Sequence, residues 1–192
     1  MITNTKKGIE PVYFNLLLFL LSVSMMFAGF TSAYVVRESQ GKWLDFDLPN
    51  FLWLSTAVAI ISSVTMQLAF NKAKKDKKDH ITGLVLITFL LGLVFLYTQF
   101  MSFVEIYNYD YKIVFGGKQS NPSGSFFYVF VFIHALHIIG GIIFLLFLLI
   151  KSLLKEVHSN NMLNIRMCKT YWHFLGGLWL YLFIFLLFNH LK

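Results

Sequence analysis

One cysteine among 192 residues excludes an intrachain disulfide and leaves no CxxC pair for a metal or for haem attachment. That residue, Cys168, is expected at a helix end with no redox role. Charge is scarce as well. Asp, Glu, Lys and Arg make up 13% of the chain, about half of what a soluble domain carries, so most of this chain faces something other than water. The length suits one domain and nothing suggests two. The formal charge of +7 would fit a nucleic-acid partner if the lysines lined one face of a fold. They sit instead between long apolar runs, as the loops beside membrane spans do, and no nucleic-acid partner is expected.

What the chain has in abundance is apolar length: 57% of its residues are hydrophobic. Residues 12–36 carry no charged side chain, a run longer than the roughly 30 Å hydrocarbon core at 1.5 Å per residue. A cleaved signal peptide, with Thr31-Ser32-Ala33 as the processing site, is the competing reading. The stretch is too long for a signal core, and Glu10-Pro11 dilutes the positive start, so a retained span is favoured. Further spans are expected at 50–70, 81–104, 126–150 and 170–189. Strands of a transmembrane barrel alternate over about ten residues, whereas these runs are continuously apolar and twice as long. The fold class is therefore all-α, an integral membrane five-helix bundle forming a single transmembrane domain over 1–192. The loop at 107–123 holds Gly116-Gly117 and Asn121-Pro122 and is expected to turn. No internal repeat of the transporter kind is evident.

The loops set the expected orientation. Lys6 and Lys7, the five lysines of 71–80, and Lys151, Lys155, Arg166 and Lys169 lie on one side of a five-span topology, eleven basic residues against five on the other. That bias puts the N-terminus in the cytoplasm and the C-terminus on the outer, periplasmic side. Trp43, Tyr107, Tyr109 and Tyr111 then suit an outer aromatic belt.

Ionisable groups inside a bilayer are functional candidates by default. No Asp, Glu, Lys or Arg falls in mid-membrane, which leaves His134 and His137 in span four and His173 near the start of span five. Haem or copper would need histidines from different helices at matching depth. His134 and His137 share one helix and lie in its outer half, while His173 enters near the inner surface. Neutral imidazoles hydrogen-bonded within the bundle or to lipid are the expectation, with no metal. The small residues near them suit close helix approach: His137 and Gly141, and His173 and Gly177, each lie four apart on one face. Trp172, Gly176 and Trp179 form a second stripe, read as packing with the indole N–H groups seeking acceptors; a groove for a lipid or quinone is the sharper alternative. Gln99, deep in span three, needs a partner. The hydroxyls of Ser55, Thr56, Ser62, Ser63 and Thr65 are expected to bond back to the helix backbone.

Several segments resemble subunit III of the haem–copper terminal oxidases. Gly124-Ser125-Phe126-Phe127 followed by FIHALHIIGG at 132–141 is similar to that family's "G-S-x-F-F … F-H-G-L-H-V-I-G-G" helix. TYWHFLGGLW at 170–179 is similar to its "W-Y-W-H-F-x-D-x-V-W" segment. LPNFLWLSTAVAIISSVTMQLA at 48–69 and LGLVFLYTQ at 91–99 are similar to two further segments, and the four run in family order over nearly the whole chain. The resemblance implies the five-helix bacterial form: a non-catalytic subunit of a respiratory oxidase in the bacterial inner membrane. It would bind subunit I, beside subunit II, in a hetero-oligomeric complex and hold phospholipid. No cofactor is expected in this chain, since haem and copper would sit in the partner subunits. The electron donor would be cytochrome c, with a quinol oxidase as the alternative; a small membrane transporter is the alternative of another class. Three carboxylates of the family pattern are missing: Val23 follows Ser22 where an acid is usual, Ser102 stands in the "Q-x-x-E" position, and Gly176 replaces an Asp. A proton-handling role of that buried acid therefore does not carry over to this chain.

Overall fold

The computed structural model describes residues 10–39, 50–76, 78–115, 122–154, 157 and 161–190. Among them are five helices: α1 Pro11–Glu38, α2 Asn50–Lys74, α3 Lys78–Phe115, α4 Pro122–Leu153 and α5 Leu163–His190. All five are long and apolar enough to cross a membrane. Helix is the outcome because hydrocarbon offers no partner for backbone N–H and C=O groups, so each span must satisfy its own. Among the described residues proline falls only where a helix starts: Pro11 opens α1 behind an extended Glu10, and Pro122 opens α4. There its missing N–H and fixed φ cost nothing.

The helices outrun the apolar stretches read from sequence. Helix α3 continues to Phe115, so 107–115 is helical and not part of a turn. Helix α5 begins at Leu163, which puts Arg166 and Lys169 on its first two turns and not in a loop, with Cys168 beside them near the helix end where it was expected. Charge ends a hydropathic run, but it does not end a helix whose backbone bonds continue into the interface. Gly116, Gly117, Asn121, Trp43, His158 and Lys155 lie outside the described residues. The lysine-rich loop shrinks to a tight hairpin turn in which Lys75 N–H donates to Lys72 C=O and Asp76 N–H to Ala73 C=O. Asp76 turns the chain at φ 51°, a left-handed conformation that Asp tolerates better than most residues.

Helices α2, α3, α4 and α5 form a closed ring of neighbours, and α1 lies outside it against α4 and α5. Burial follows that plan. In an apolar 18-residue stretch of α5, 44% of the residues are buried, against 22% in the corresponding stretch of α1. Cross-links fix the directions. Thr82 of α3 meets Ser152 of α4 at 2.7 Å, Thr65 of α2 meets Thr88 of α3 at 2.8 Å, and Tyr13 of α1 meets Thr170 of α5 at 3.3 Å. At the opposite end, Tyr34 packs on Phe130 and Phe185, Trp53 on Phe183, and Phe103 on Tyr128. The start of α1, the α2–α3 turn, the end of α4 and the start of α5 therefore share one side of the bundle. Interhelical hydrogen bonds of this kind are worth roughly 0.6 kcal/mol each in membranes, so the aromatic packing carries much of the cohesion.

Candidate functional site: the α2/α5 seam

Trp172 and Trp179 of α5 are 5% and 1% exposed and point inward across the ring of helices. Trp172 Nε1 donates to Ser62 Oγ at 3.2 Å, and Trp179 Nε1 donates to Thr56 Oγ1 at 3.1 Å. Each hydroxyl in turn donates to its own helix, Ser62 to Ala59 C=O and Thr56 to Leu52 C=O, both at 2.8 Å. A hydroxyl has one proton and two lone pairs, so this relay satisfies the indole, the hydroxyl and the carbonyl together. The acceptors that the indoles require are thus two of the α2 hydroxyls; Ser55 and Thr65 also bond back to the backbone.

The ring of Trp172 needs gaps on the facing helices, and two glycines supply them. A Cβ on Gly92 of α3 would lie 2.8 Å from Trp172 Cη2, and one on Gly141 of α4 would lie 3.1 Å from Cζ3 and 2.9 Å from Leu175 Cδ1. Gly141 was legible as a packing position; Gly92 was not singled out from the sequence, although its place seven residues before the buried Gln99 marks the same helical face. Gly177, by contrast, would meet nothing within 4 Å. It faces open space and not a packed neighbour.

His134 departs from the expected hydrogen-bonded imidazole. It is 1% exposed, and neither ring nitrogen has a partner among the described residues. It lies in an aromatic box, stacked on Trp179 at 5.4 Å with Phe95 at 6.0 Å and Phe27 at 6.4 Å. His137 does follow the expectation: its Nδ1 meets Ile133 C=O at 2.7 Å, and its own carbonyl accepts from Tyr171 Oη at 3.0 Å. Gln99 is 2% exposed and both of its amide atoms are unpartnered among the described residues. His173 sits elsewhere, six residues, or about 9 Å, along α5 from the Trp179 that His134 stacks on. The three histidines do not converge. Among the described residues no group of three or more His, Cys, Asp or Glu is arranged to hold a metal ion. Every buried polar side chain there is a hydroxyl, an amide or an imidazole. At two of the missing-carboxylate positions, Val23 is buried and Ser102 donates to Thr98 C=O at 3.1 Å. At the third, a Cβ on Gly176 would lie 3.1 Å from Ser63 Oγ.

On the outward side of the same seam lies a groove of about 420 Å³ between α2 and α5. Ile60, Ser63, Val64 and Gln67 line one wall, and His173, Gly176, Gly177 and Leu180 the other. Its character changes along its length. Toward Ile60 and Leu180 it is apolar; at the other end His173 Nε2 meets Gln67 Oε1 at 3.3 Å and Gln67 Nε2 donates to Asn71 Oδ1 at 3.2 Å. The glycines create the groove because side chains there would fill it. His173 and Gly177, read from the sequence as a close-approach stripe, line this groove. Trp172 and Trp179 belong to the core behind it. Gln67 and Ser63 were not read as site residues, yet their spacing of four on α2 matches that of His173 and Gly177 on α5.

Comparison with known proteins gives a consistent answer. The model of the family described as "Cytochrome c oxidase subunit III" matches residues 3–190. A "Probable cytochrome c oxidase subunit 3" of Nocardia farcinica is 32% identical over 172 residues, covering 87% of this chain and 82% of the relative. A "Cytochrome c oxidase subunit 3" of Polypterus ornatipinnis is 30% identical over 193 residues, covering 93% and 69%. A "Probable quinol oxidase subunit 3" of Staphylococcus saprophyticus is 28% identical over 138 residues, covering 72% and 66%.

Proposed function

Because the chain belongs to the cytochrome c oxidase subunit III family, we propose that it is the accessory subunit III of a bacterial respiratory oxidase, clasping subunit I beside subunit II and holding membrane lipid. The observation that carries this reading is the family match over 3–190. The interior fits it. Among the described residues the buried polar groups are neutral and largely bonded to their own backbones, with no paired acid and base, which suits a subunit whose partners hold the haem and copper. This disfavours a transporter, where midplane charges or broken helices are usual.

In the proposed orientation the start of α1, the α2–α3 turn and the start of α5 face the cytoplasm, supported by the basic residues gathered on that side. The α2/α5 groove with His173 and Gly177, the interior with Gln99, His134, Gly141, Trp172 and Trp179, and His137 on the side of α4 that meets α1 make up the proposed packing and lipid-holding region. Cytochrome c is the proposed donor. A quinol donor is the second reading, favoured by the similarity to the staphylococcal quinol oxidase subunit.

The test is to purify the tagged chain from its own membranes in mild detergent, identify the co-purifying subunits, and record a reduced-minus-oxidised spectrum. Co-purification with a haem-bearing oxidase is expected. Purification without any haem protein refutes the assignment. Turnover of the same preparation with reduced cytochrome c or with quinol separates the two donors.

A further inference from the structure

The α2/α5 groove ends in a charge arrangement that lipid holding in general does not require. Along the seam, Ile60, Val64 and Gln67 of α2 run opposite Leu180, Gly176 and His173 of α5. One turn further on, Phe70 is buried and two ammonium groups lie over its ring, one from each helix. Lys74 Nζ is 4.8 Å from the ring centroid and Lys169 Nζ is 4.1 Å. Each contact is a favourable cation–π pair, but two like charges gathered at one ring repel, and an anion between them relieves that repulsion. Lys169 shares a helical face with His173, four residues on. Asn71, exposed and one turn from Gln67, accepts a hydrogen bond from the Gln67 amide.

The order of chemistry along the groove is that of a phospholipid lying in one leaflet. The stretch from Leu180 to His173 covers seven residues, about 10 Å, out of a leaflet about 15 Å deep. It is walled by aliphatic side chains and opened by Gly176 and Gly177. Next come the amides and the imidazole, and then the two cations, on the side of the bundle that holds the basic turn. A quinone would use the apolar stretch and the amides but has no charge for the lysines.

We propose that the α2/α5 groove binds an anionic glycerophospholipid, its phosphodiester between Lys74 and Lys169 and one acyl chain along Val64, Ile60 and the Gly176-Gly177 gap. This rests on the lipid-holding reading above and adds the headgroup charge to it.

The experiment uses the intact complex, delipidated and re-equilibrated with nanodiscs of phosphatidylglycerol or phosphatidylcholine, with retained lipid counted by native mass spectrometry. The double variant Lys74→Gln/Lys169→Gln should bind one phosphatidylglycerol about thirty-fold more weakly than the parent, roughly a fivefold loss per lysine facing an anionic lipid. Its phosphatidylcholine retention should not change, and Lys74→Arg/Lys169→Arg should restore the preference. Gly177→Leu, which has room for its side chain, should fill the gap and lower retention of both lipids. Unchanged retention in Gly177→Leu overturns the lipid groove itself. Loss of lipid in Gly177→Leu together with parental phosphatidylglycerol binding in the lysine variant leaves the groove standing and overturns the headgroup proposal.

Discussion

Replacing Gly92 by alanine sets a methyl group 2.8 Å from Cη2 of Trp172, 3.3 Å from Cζ2 and 3.4 Å from Ile142 Cγ1. The indole is poorly placed to yield. Another edge of it abuts Gly141 on α4, and its Nε1 is tied to Ser62 on α2. Over-packing a filled core costs about 1–3 kcal/mol, while Gly to Ala inside a helix returns up to about 1 kcal/mol. The net expectation is a loss of about 1–2 kcal/mol. Gly177→Ala is the matched control, since its added methyl meets nothing within 4 Å; it should be neutral or stabilising by up to about 1 kcal/mol. Cys168, 1% exposed, provides the readout. In the detergent-purified complex its labelling by a thiol reagent, followed by mass spectrometry, reports opening of α5. A loss of 1–2 kcal/mol raises the open population about 5–30-fold, so labelling should accelerate by that factor in Gly92→Ala and not in Gly177→Ala. In a Trp172→Phe background, which lacks the clashing edge, the cost of Gly92→Ala should fall by at least 0.5 kcal/mol, about the smallest coupling that contacting residues show. Equal labelling of the two glycine variants, or a cost unchanged by Trp172→Phe, would refute the seat assigned to this indole.

Thr56→Val removes the acceptor of the buried Trp179 N–H and should cost about 1–3 kcal/mol, whereas Thr56→Ser should cost much less; the same Cys168 assay distinguishes them, and equal rates would mean that the hydrogen bond carries nothing. Asp76→Val places a branched side chain at φ 51° and should lower stability by about 1–2 kcal/mol relative to Asp76→Gly; identical thermal midpoints of the two complexes would contradict the turn geometry. Val23→Glu restores a carboxyl at a position 4% exposed and should cost about 3 kcal/mol, read as reduced assembly into the complex, with carbodiimide reacting at the new acid. Assembly at the parental level would show that the surroundings of Val23 still accommodate an acid.

Five spans were readable because hydrocarbon imposes one requirement, a long apolar run, that leaves a direct mark on the sequence. Helix ends were less readable. Arg166 and Lys169 look like loop residues by charge, yet they ride on α5, since a helix at the interface extends charged side chains into water without breaking backbone bonds. The indole–hydroxyl pairing was half visible: Trp172 and Trp179 advertised donors and α2 advertised hydroxyls. Which met which depends on α2 and α5 running antiparallel as neighbours, and no local pattern states that. His134 was misread for a related reason. A histidine is expected to find a partner for its nitrogens, but the box of Phe27, Phe95 and Trp179 comes from three other helices. Gln67 escaped notice because a single amide near a span's end is unremarkable until His173 is brought to it.

Adjacent residues on both helices divide the work of the seam. On α2, Ser62 faces inward and fixes Trp172, while its neighbour Ser63 faces outward and lines the groove. On α5, Trp172 faces inward and His173 outward. Gly176 lies between the two surfaces and borders both the core around Trp172 and Trp179 and the groove. The groove floor is thus the back of a tightly hydrogen-bonded layer and not a loose gap between helices. A cavity whose walls are already held costs little ordering when it is filled, so a bound lipid would be selected by the shape and charge of its site and not by helix rearrangement. The absent carboxylate at 176 fits the same arrangement. An acid at 176 would reach toward Ser63 and bring a charge into the groove wall, where the basic end needs an anion from outside the chain.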